Sequence, residues 1–298
     1  MEINDKPFKG HGFHLAGIIP CAGQPLDYGM EWPDFMMPVA PNYTMLEAAI
    51  FECSYAGCDT IWLCLHHDTA RFVRERIGDF VYDPVWYHRK YEKFPSEHRK
   101  RIPIYYVPIH PKDRDRRDCL SWSVIYGALN AFKVSATISK WLIPDKYFVS
   151  FPYGLYNPTI LRGKISSAHN FYVTHKEKTL EHNLPLSFTF GKEEFIRFRQ
   201  QVRKGTGQYK NIVEEGDLAP RQKLPLHERY SARWFDINDV FVDLDITQDN
   251  FVNIEEFYDL RSWQEYKNYL SSELSDVIRR PKNMKYSEFN RIGLDILE

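Results

Sequence analysis

The acidic stretch FVDLDITQDNFVNIEEF, residues 241–257, holds the carboxylates whose spacing best suits a divalent cation. Asp243, Asp245 and Asp249 offer hard oxygen ligands, which Mg²⁺ and Ca²⁺ prefer in proteins. Side chains two residues apart on a β-strand share a face, so Asp243 and Asp245 can reach one cation together if 241–246 is a strand. This geometry predicts a Mg²⁺ site.

The same stretch also fits a Ca²⁺-binding loop of the EF-hand type. Counting from Asp245 as position 1, Asp249 takes position 5, Asn253 position 9 and Glu256 position 12. Position 6 is Asn250 instead of glycine, and no second loop of this kind accompanies the first. A plain acidic turn that binds no ion is the third interpretation of these residues.

A second candidate site lies in the stretch GIIPCAGQPLDYGMEWPDFMMPV, which begins at Gly17. It starts as a buried strand and reaches a turn of small residues at Ala22 and Gly23, as a phosphate-binding turn does. Phosphate binding by a loop needs backbone N–H donors and positive charge. Pro25 has no N–H, and Asp34 is negative. We therefore expect nucleotide contacts at Ala22 and Gly23 without the usual phosphate contacts.

The loop HPKDRDRRD mixes basic and acidic side chains directly after a predicted strand at 102–109. Aspartates interleave with the four cations between Lys112 and Arg117, so a solvated loop and a weakened nucleotide contact are both open. Ser121 lies at the start of the helix that follows, and a helix N-terminus can hold an anion. Ser121 is therefore a further candidate for nucleotide binding.

His66, His67 and Asp68 lie at the end of another predicted strand, 59–66. Adjacent side chains on a strand point to opposite faces, so the two histidines do not converge on one metal ion. We interpret these residues as the polar end of a strand.

These candidates must be positioned by strands and helices that alternate over the first half of the chain. Apolar runs predict strands at 13–20, 59–66, 102–109 and 146–151. Helical spacing in PNYTMLEAAIFECSYAGC, TARFVRERIGDF and CLSWSVIYGALNAF predicts the helices between them. This alternation is typical of an α/β fold with a doubly wound, mostly parallel sheet, whose ligands lie at the carboxyl ends of the strands.

Local signals set the ends and faces of these helices. Thr44 and Glu47 form a capping box before the first helix, and Gly57 ends it. The third helix is expected to present one side formed by Leu120, Val124, Ala128 and Phe132.

The second half of the chain has a different character. NFYVTH and PLSFTF predict strands, KEEFIRFRQQVRK a short helix, and 255–276 has helical spacing. Residues 203–228 lack periodicity and predict a loop. We divide the chain into an α/β core at 1–200, a loop or flexible excursion at 201–230, and a C-terminal strand and helices at 231–298 that complete the core.

Residues 17–65 resemble the nucleotide-diphospho-sugar transferase superfamily, in particular its sugar-phosphate nucleotidyltransferases. Ile18 to Gly23 match the first strand and the first glycine of that family's Gly-x-Gly-x-Arg loop, and TMLEAAIFECSYAGCDTIWL resembles the helix and strand that follow. The later landmarks are Pro33, Pro38 and Val39. The resemblance implies a nucleotidyltransferase-like (GT-A-like) sheet with an α+β C-terminal section, and gives Asp243 and Asp245 the place of the family's late metal aspartate.

The departures from this family concern its chemistry. Pro25 stands at the second loop glycine, Asp27 at the arginine and Asp34 at the catalytic lysine. SFPYGLYNP, residues 150–158, has no carboxylate where the family places a metal-binding aspartate. Nucleotidyl transfer needs Mg²⁺ and cationic groups to neutralise the phosphates. We therefore expect the standard pyrophosphorylase activity to be lost.

Composition limits the partners and the compartment. With 43% hydrophobic and 27% charged residues and a net charge of −1, the chain is globular and shows no general basic field for nucleic acid. No apolar run approaches the ~20 residues of a membrane span, and the N-terminus has no signal-peptide pattern. The five cysteines contain no CxxC pair. These features predict a soluble cytoplasmic protein.

Taken together, the sequence predicts a divergent nucleotidyltransferase-like protein that binds a nucleotide or nucleotide-sugar, or that acts as an interaction subunit or homo-oligomer through its aromatic surfaces. One alternative is an active metal-dependent nucleotidyltransferase or glycosyltransferase that uses a nucleotide-sugar. A second alternative is a structural subunit of a larger assembly. No residue is assigned a catalytic role.

Overall fold

The computed structural model describes residues 13–23, 26, 28–82, 101–114, 117–166, 168–205, 209–211, 221–223, 235–242, 244 and 250–281. Its strands are β1 (Leu15–Pro20), β2 (Pro38–Ala40), β3 (Tyr43–Thr44), β4 (Thr60–His66), β5 (Phe80–Tyr82), β6 (Arg101–Ile109), β7 (Lys146–Val149), β8 (Gly154–Leu155), β9 (Phe171–His175), β10 (Phe188–Phe190), β11 (Tyr209–Asn211), β12 (Arg221–Lys223), β13 (Asn250–Ile254) and β14 (Tyr258–Asp259). The α-helices are α1 (Met45–Ala56), α2 (His67–Ile77), α3 (Pro111–Arg114), α4 (Leu120–Ile138), α5 (Lys192–Gly205), α6 (Ile237–Val240), α7 (Trp263–Leu270) and α8 (Glu273–Val277).

Eight of these strands form one sheet, in the order β13-β9-β10-β7-β1-β4-β6-β5. The four strands predicted from the apolar runs, β7, β1, β4 and β6, are neighbours and pair in parallel. β13 is also parallel to β9, whereas β10 and β5 run antiparallel to their neighbours. The predicted doubly wound, mostly parallel α/β sheet is confirmed.

The central strand β1 is packed closely against α1. Gly17 pairs with Ile61 on one side and Phe148 on the other. A Cβ atom at Gly17 would lie 2.8 Å from the Cys53 sulfur and 3.1 Å from the Cys58 sulfur. Only glycine lets the helix approach the sheet this closely, because any larger side chain would overpack the site.

Both faces of the sheet are covered. Successive side chains on a strand point to opposite faces, and all six residues of β1 are buried. Leu15 and Ile19 of β1 belong to the core cluster under α1 and α2. Ala16 and Ile18 point to the opposite face and belong to the cluster under α4 and α5. Cys53 of α1 is fully buried.

The caps of α1 form as predicted. Thr44 accepts a hydrogen bond from the Glu47 backbone N–H, and the Glu47 side chain accepts one from the Thr44 N–H. Gly57 ends the helix at φ 87°, in the left-handed region that glycine occupies without strain.

The prediction for the buried side of α4 is wrong at its last residue. Val124 and Ala128 are buried, but Phe132 is 45% exposed. A four-residue step advances ~400° around a helix of 3.6 residues per turn, so successive positions drift by ~40°. The helix therefore buries Ala131 and Ser135 in place of Phe132.

The last part of the chain adds β13 to one edge of the sheet, and two short helices follow. The helical spacing predicted at 255–276 is formed by α7 and α8, after the short strand β14. In the 203–228 segment, the structure describes β11 and β12, which pair as a separate two-stranded sheet. None of the helices in the described ranges has both the length and the apolar composition needed to cross a membrane.

Candidate functional site

The neighbouring strands β1 and β4 end side by side, and their carboxyl ends lie where the sequence predicts nucleotide contacts. The backbone N–H groups of Cys21 and Ala22 both donate to the Cys64 carbonyl, at 2.9 and 2.8 Å. The Ala22 carbonyl in turn accepts a hydrogen bond from the Ser123 hydroxyl at 2.7 Å. The main chain of Ala22 is therefore engaged within the protein, and Gly23, which is half-buried, is the more accessible end of the turn.

Gly23 lies against the first turn of α4. A Cβ atom on Gly23 would be 3.4 Å from the Leu120 backbone nitrogen. The structure thus brings the small-residue turn and the N-terminus of a 19-residue helix together, as the sequence predicted. A helix N-terminus carries a partial positive charge that favours anions.

Ser121, the other candidate nucleotide-binding residue, is fully buried. Its hydroxyl donates to the Asp236 carbonyl at 3.3 Å, which ties α4 to the residue that precedes α6. Ser121 therefore stabilises the first turn of α4 from its buried side.

Sequence reasoning missed Trp122, the next residue in the chain. Its ring is 7% exposed, and the Arg117 guanidinium carbon lies 4.6 Å from the ring centroid, within cation–π range. Within the described part of the chain, the indole Nε1–H has no hydrogen-bond acceptor. Buried donors without partners are rare in proteins. Trp122 is therefore a buried donor without an acceptor among the described residues, and Arg117 lies beside it.

The polar residues at the end of β4 bind different partners. His66 Nε2 is 2.8 Å from Asp118 Oδ1, and the pair ties the strand to the loop before α4. Asp68 pairs with Arg114 at 3.0 Å on the surface. No group of three or more His, Cys, Asp or Glu residues among the described residues is arranged to hold a metal ion.

Asp34, which the sequence resemblance aligns with the family's catalytic lysine, is buried. Its Oδ2 accepts a hydrogen bond from the Leu26 backbone N–H at 2.5 Å. Burial raises the pKa of this carboxyl, and the Leu26 hydrogen bond opposes the shift. Tyr28, in the same loop, donates its hydroxyl to the Leu260 carbonyl. The loop is thus closed on itself and against the C-terminal part of the chain. Pro25 and Asp27 lie outside the described residues.

Ser150 and Tyr156, in the segment after β7, donate hydrogen bonds to Glu52, a carboxylate that the sequence did not indicate. Glu52 of α1 is buried at 4% exposure and accepts hydrogen bonds from Ser150 at 2.8 Å, Tyr156 at 2.6 Å and Ser187. Burial raises the pKa of Glu52 to about 7, and the three hydroxyl donors oppose that shift. The only signal in the sequence is a glutamate on an apolar helix, LEAAIFEC.

The predicted metal ligands Asp243, Asp245 and Asp249 lie outside the described residues. The described residues at 241, 242 and 244 are not in a strand, and the nearest strand is Asn250–Ile254, in the main sheet. After it, the chain passes through β14 before the next helix begins at Trp263. An EF-hand needs a helix directly after its loop, and that arrangement is not formed.

The described residues after β7 also contain no carboxylate at 150–158, so they do not fit a metal site there.

Comparison with known proteins shows likeness at the level of the fold. No known protein family matches the sequence of the chain, and no curated protein does so either. Among solved structures, a candidate glucose-1-phosphate thymidylyltransferase from Bacillus anthracis in complex with a sucrose has a TM-score of 0.53 and 10% identity. The alignment covers 93% of this chain and 99% of that one.

Two further solved structures are similar at lower scores. A nucleoside-diphosphate-sugar pyrophosphorylase from Vibrio cholerae has a TM-score of 0.47 and 14% identity, over 86% of this chain and 100% of that one. A CTP:phosphocholine cytidylyltransferase from Streptococcus pneumoniae has a TM-score of 0.49 and 10% identity, over 90% and 100%. The sheet order and the likeness to the Bacillus anthracis structure together show that this chain has a nucleotidyltransferase-like α/β fold.

Proposed function

We propose that the chain binds a nucleotide or a nucleotide-sugar at the edge formed by Gly23, Arg117 and Trp122, and that it does not carry out pyrophosphorylase chemistry. The observation that carries the proposal is Asp34. Where the resembling family has a lysine, this chain has a buried carboxylate that accepts a hydrogen bond from its own loop.

The physical reason is the charge that the reaction requires. A transferase must stabilise the phosphates of its substrate and the departing pyrophosphate with cations. Replacing a lysine with an aspartate within ~4 Å of a phosphate shifts the interaction by several kcal/mol at an effective dielectric of ~20. Binding has smaller demands, and the N-terminus of α4 and the Arg117 guanidinium offer it positive charge.

Calorimetry with nucleoside triphosphates and nucleotide-sugars tests the binding. We expect Arg117→Ala to weaken binding about fivefold to tenfold, since it removes one charge-assisted contact. Lys133→Ala, an exposed charge later on the same helix, is the matched control and should bind as the wild type does. Absence of binding to every nucleotide and nucleotide-sugar would refute the proposal.

A coupled pyrophosphate assay tests the missing chemistry. With a nucleoside triphosphate and a sugar phosphate, the wild type should release no pyrophosphate above the enzyme-free background. Turnover that disappears in Asp243→Ala would instead support the alternative, an active metal-dependent transferase in which Asp243 and Asp245 hold the metal.

The identity of any ion is tested separately by titrating Mg²⁺ and Ca²⁺. Loss of binding in Asp243→Asn alone supports a strand-like Mg²⁺ site, because Asp243 and Asp245 then act together. Loss in Glu256→Gln alone supports a Ca²⁺ loop that uses Asp245, Asp249 and Glu256. Absence of heat with either ion leaves the stretch as an acidic turn.

A role as an interaction subunit rests on one further observation. Phe251 is 61% exposed on β13, which forms one edge of the main sheet. Edge strands with exposed apolar side chains can pair with another chain. Sedimentation analysis of the wild type and Phe251→Lys tests this, with a wild-type assembly that becomes monomeric in the variant as the expected result.

A further inference from the structure

A cleft of about 180 Å³ lies between α1, the loop after β8 and the end of α8. Tyr43, Phe51 and Tyr156 contribute aromatic surface to its walls, and the buried Glu52 belongs to its lining. None of the residues proposed above to contact a nucleotide lines this cleft. For scale, an apolar cavity of ~150 Å³ in another protein takes up benzene, so the space suits a ring-sized molecule.

Glu52 has capacity for one more hydrogen-bond donor. Its Oε1 accepts from Tyr156 and Ser187, whereas its Oε2 accepts from Ser150. Each carboxylate oxygen can accept about two hydrogen bonds. Among the described residues, Oε2 therefore accepts one hydrogen bond fewer than Oε1 and keeps an acceptor position.

The environment of Glu52 favours a cationic donor over a neutral one. Burial in the protein opposes ionisation of the carboxyl, and a positive charge within a few ångströms offsets that cost. Aromatic rings such as those of Tyr43 and Phe51 also attract organic cations through their faces. A neutral alcohol of the same shape gains neither effect.

We propose that this cleft binds a small organic amine, whose ammonium group donates to the Glu52 carboxylate while its ring-sized apolar body lies among the aromatic side chains. Amine binding in this cleft does not depend on nucleotide binding at the other site, so a negative result for one ligand leaves the other untouched.

The other titratable groups around Glu52 are compatible with this ligand. The Tyr156 hydroxyl and the Cys53 thiol face the carboxyl from the loop after β8 and from α1, and burial raises the pKa of both, so they stay neutral. Arg279, at the rim, donates through Nη1 to the Ser275 carbonyl at 2.6 Å and the Ile278 carbonyl at 2.9 Å. The Arg279 charge is thus held at the end of α8 and favours a ligand whose ammonium lies deep in the cleft.

The test uses benzylamine and its neutral analogue benzyl alcohol with the full chain, by calorimetry or ligand-observed NMR. Because Glu52 titrates at a pKa of about 7, benzylamine should bind about tenfold more tightly at pH 8 than at pH 6. Benzyl alcohol should bind at least about tenfold more weakly than benzylamine at pH 8 and show no such pH dependence.

Two variants separate the cleft from other sites. Glu52→Gln should remove the pH dependence and weaken benzylamine binding about tenfold at pH 8. Val277 lines the cleft and is 64% exposed, so Val277→Trp should block the cleft without disturbing the core and abolish binding. Val134→Trp, at an exposed valine on α4, is the matched control and should bind normally.

Three results would overturn the proposal. They are no benzylamine binding at millimolar concentration, equal binding of the amine and the alcohol, and unchanged binding in Val277→Trp. None of these three results depends on whether Glu52→Gln folds.

Discussion

Two buried carboxylates, Asp34 and Glu52, show how differently an acid can be built into the same fold. Asp34 accepts a hydrogen bond from the Leu26 N–H, eight residues away in the chain. Glu52 accepts hydroxyl hydrogen bonds from residues 98, 104 and 135 positions away. Burial raises the pKa of both carboxyls. Asp34 therefore fixes one loop, whereas Glu52 joins α1 to the ends of β7, β8 and β10.

The difference bears on function. A local hydrogen bond such as that of Asp34 fixes the conformation of its own loop and involves few other parts of the fold. A long-range group such as Glu52 couples its own ionisation to the packing of several elements. We therefore expect the two acids to differ in their effect on stability, in their pH dependence and in their effect on ligands.

The largest expected effect is that of Glu52→Ala. The variant leaves the hydroxyls of Ser150, Tyr156 and Ser187 without their acceptor in a buried site, and each unsatisfied group costs ~1–3 kcal/mol. We expect the free energy of unfolding to fall by about 3–5 kcal/mol, measured by urea denaturation.

Glu75→Ala is the matched control for this variant. Glu75 is exposed on α2, so its loss should change the free energy of unfolding by less than about 0.5 kcal/mol. A Glu52→Ala effect as small as the Glu75→Ala effect would mean that the network around Glu52 does not hold the elements together.

The second effect is the pH dependence that Glu52 gives to stability. Its carboxyl has a pKa of about 7 in the folded protein against an ordinary value of 4.5, so the folded state binds the proton more tightly. The resulting stability is fully present below pH 4.5 and is lost as the pH rises through 7. Relative to Glu52→Gln, the wild type should lose about 2–3 kcal/mol between pH 5 and pH 8.

The measurement compares urea midpoints of the two proteins at both pH values. Taking the difference between wild type and Glu52→Gln removes the contribution of other titrating groups that the two proteins share. Parallel pH profiles would show that the Glu52 carboxyl keeps its ordinary pKa in the folded state.

The sequence predicted well what local physics determines. The strands β1, β4, β6 and β7 were predicted because buried parallel strands are continuous apolar runs. The capping box at Thr44 and the Gly57 end of α1 are fixed by residues only a few positions apart. Ligands were predicted at the carboxyl ends of the parallel strands, and Gly23 lies there beside the start of α4.

The sequence could not predict contacts that only the tertiary fold creates. Glu52 was missed because nothing near it in the chain shows that Ser150 and Ser187 come to it. Trp122 was missed because its burial depends on how α4 lies on the sheet. Phe132 was placed on the wrong side because the four-residue spacing was extended over too many turns. Glu52 and Trp122 belong to the two candidate sites, although no motif in the sequence identifies either of them.

The smallest expected effect is that of Asp34→Ala, and it tests the other half of the comparison. The variant removes the acceptor of a single backbone N–H, that of Leu26, so we expect the free energy of unfolding to fall by about 1–2 kcal/mol. Asp34→Asn keeps a side-chain oxygen that can accept this bond and is the matched control, with a loss below about 1 kcal/mol. Urea denaturation of both variants measures these values.

A loss in Asp34→Ala as large as that in Glu52→Ala would show that the loop is part of the cooperative core, and the distinction between a local and a long-range acid would fail. A loss confined to the loop should appear as faster hydrogen exchange at Leu26 and Tyr28 while the amides of β1 keep their protection, because loops open locally without global unfolding.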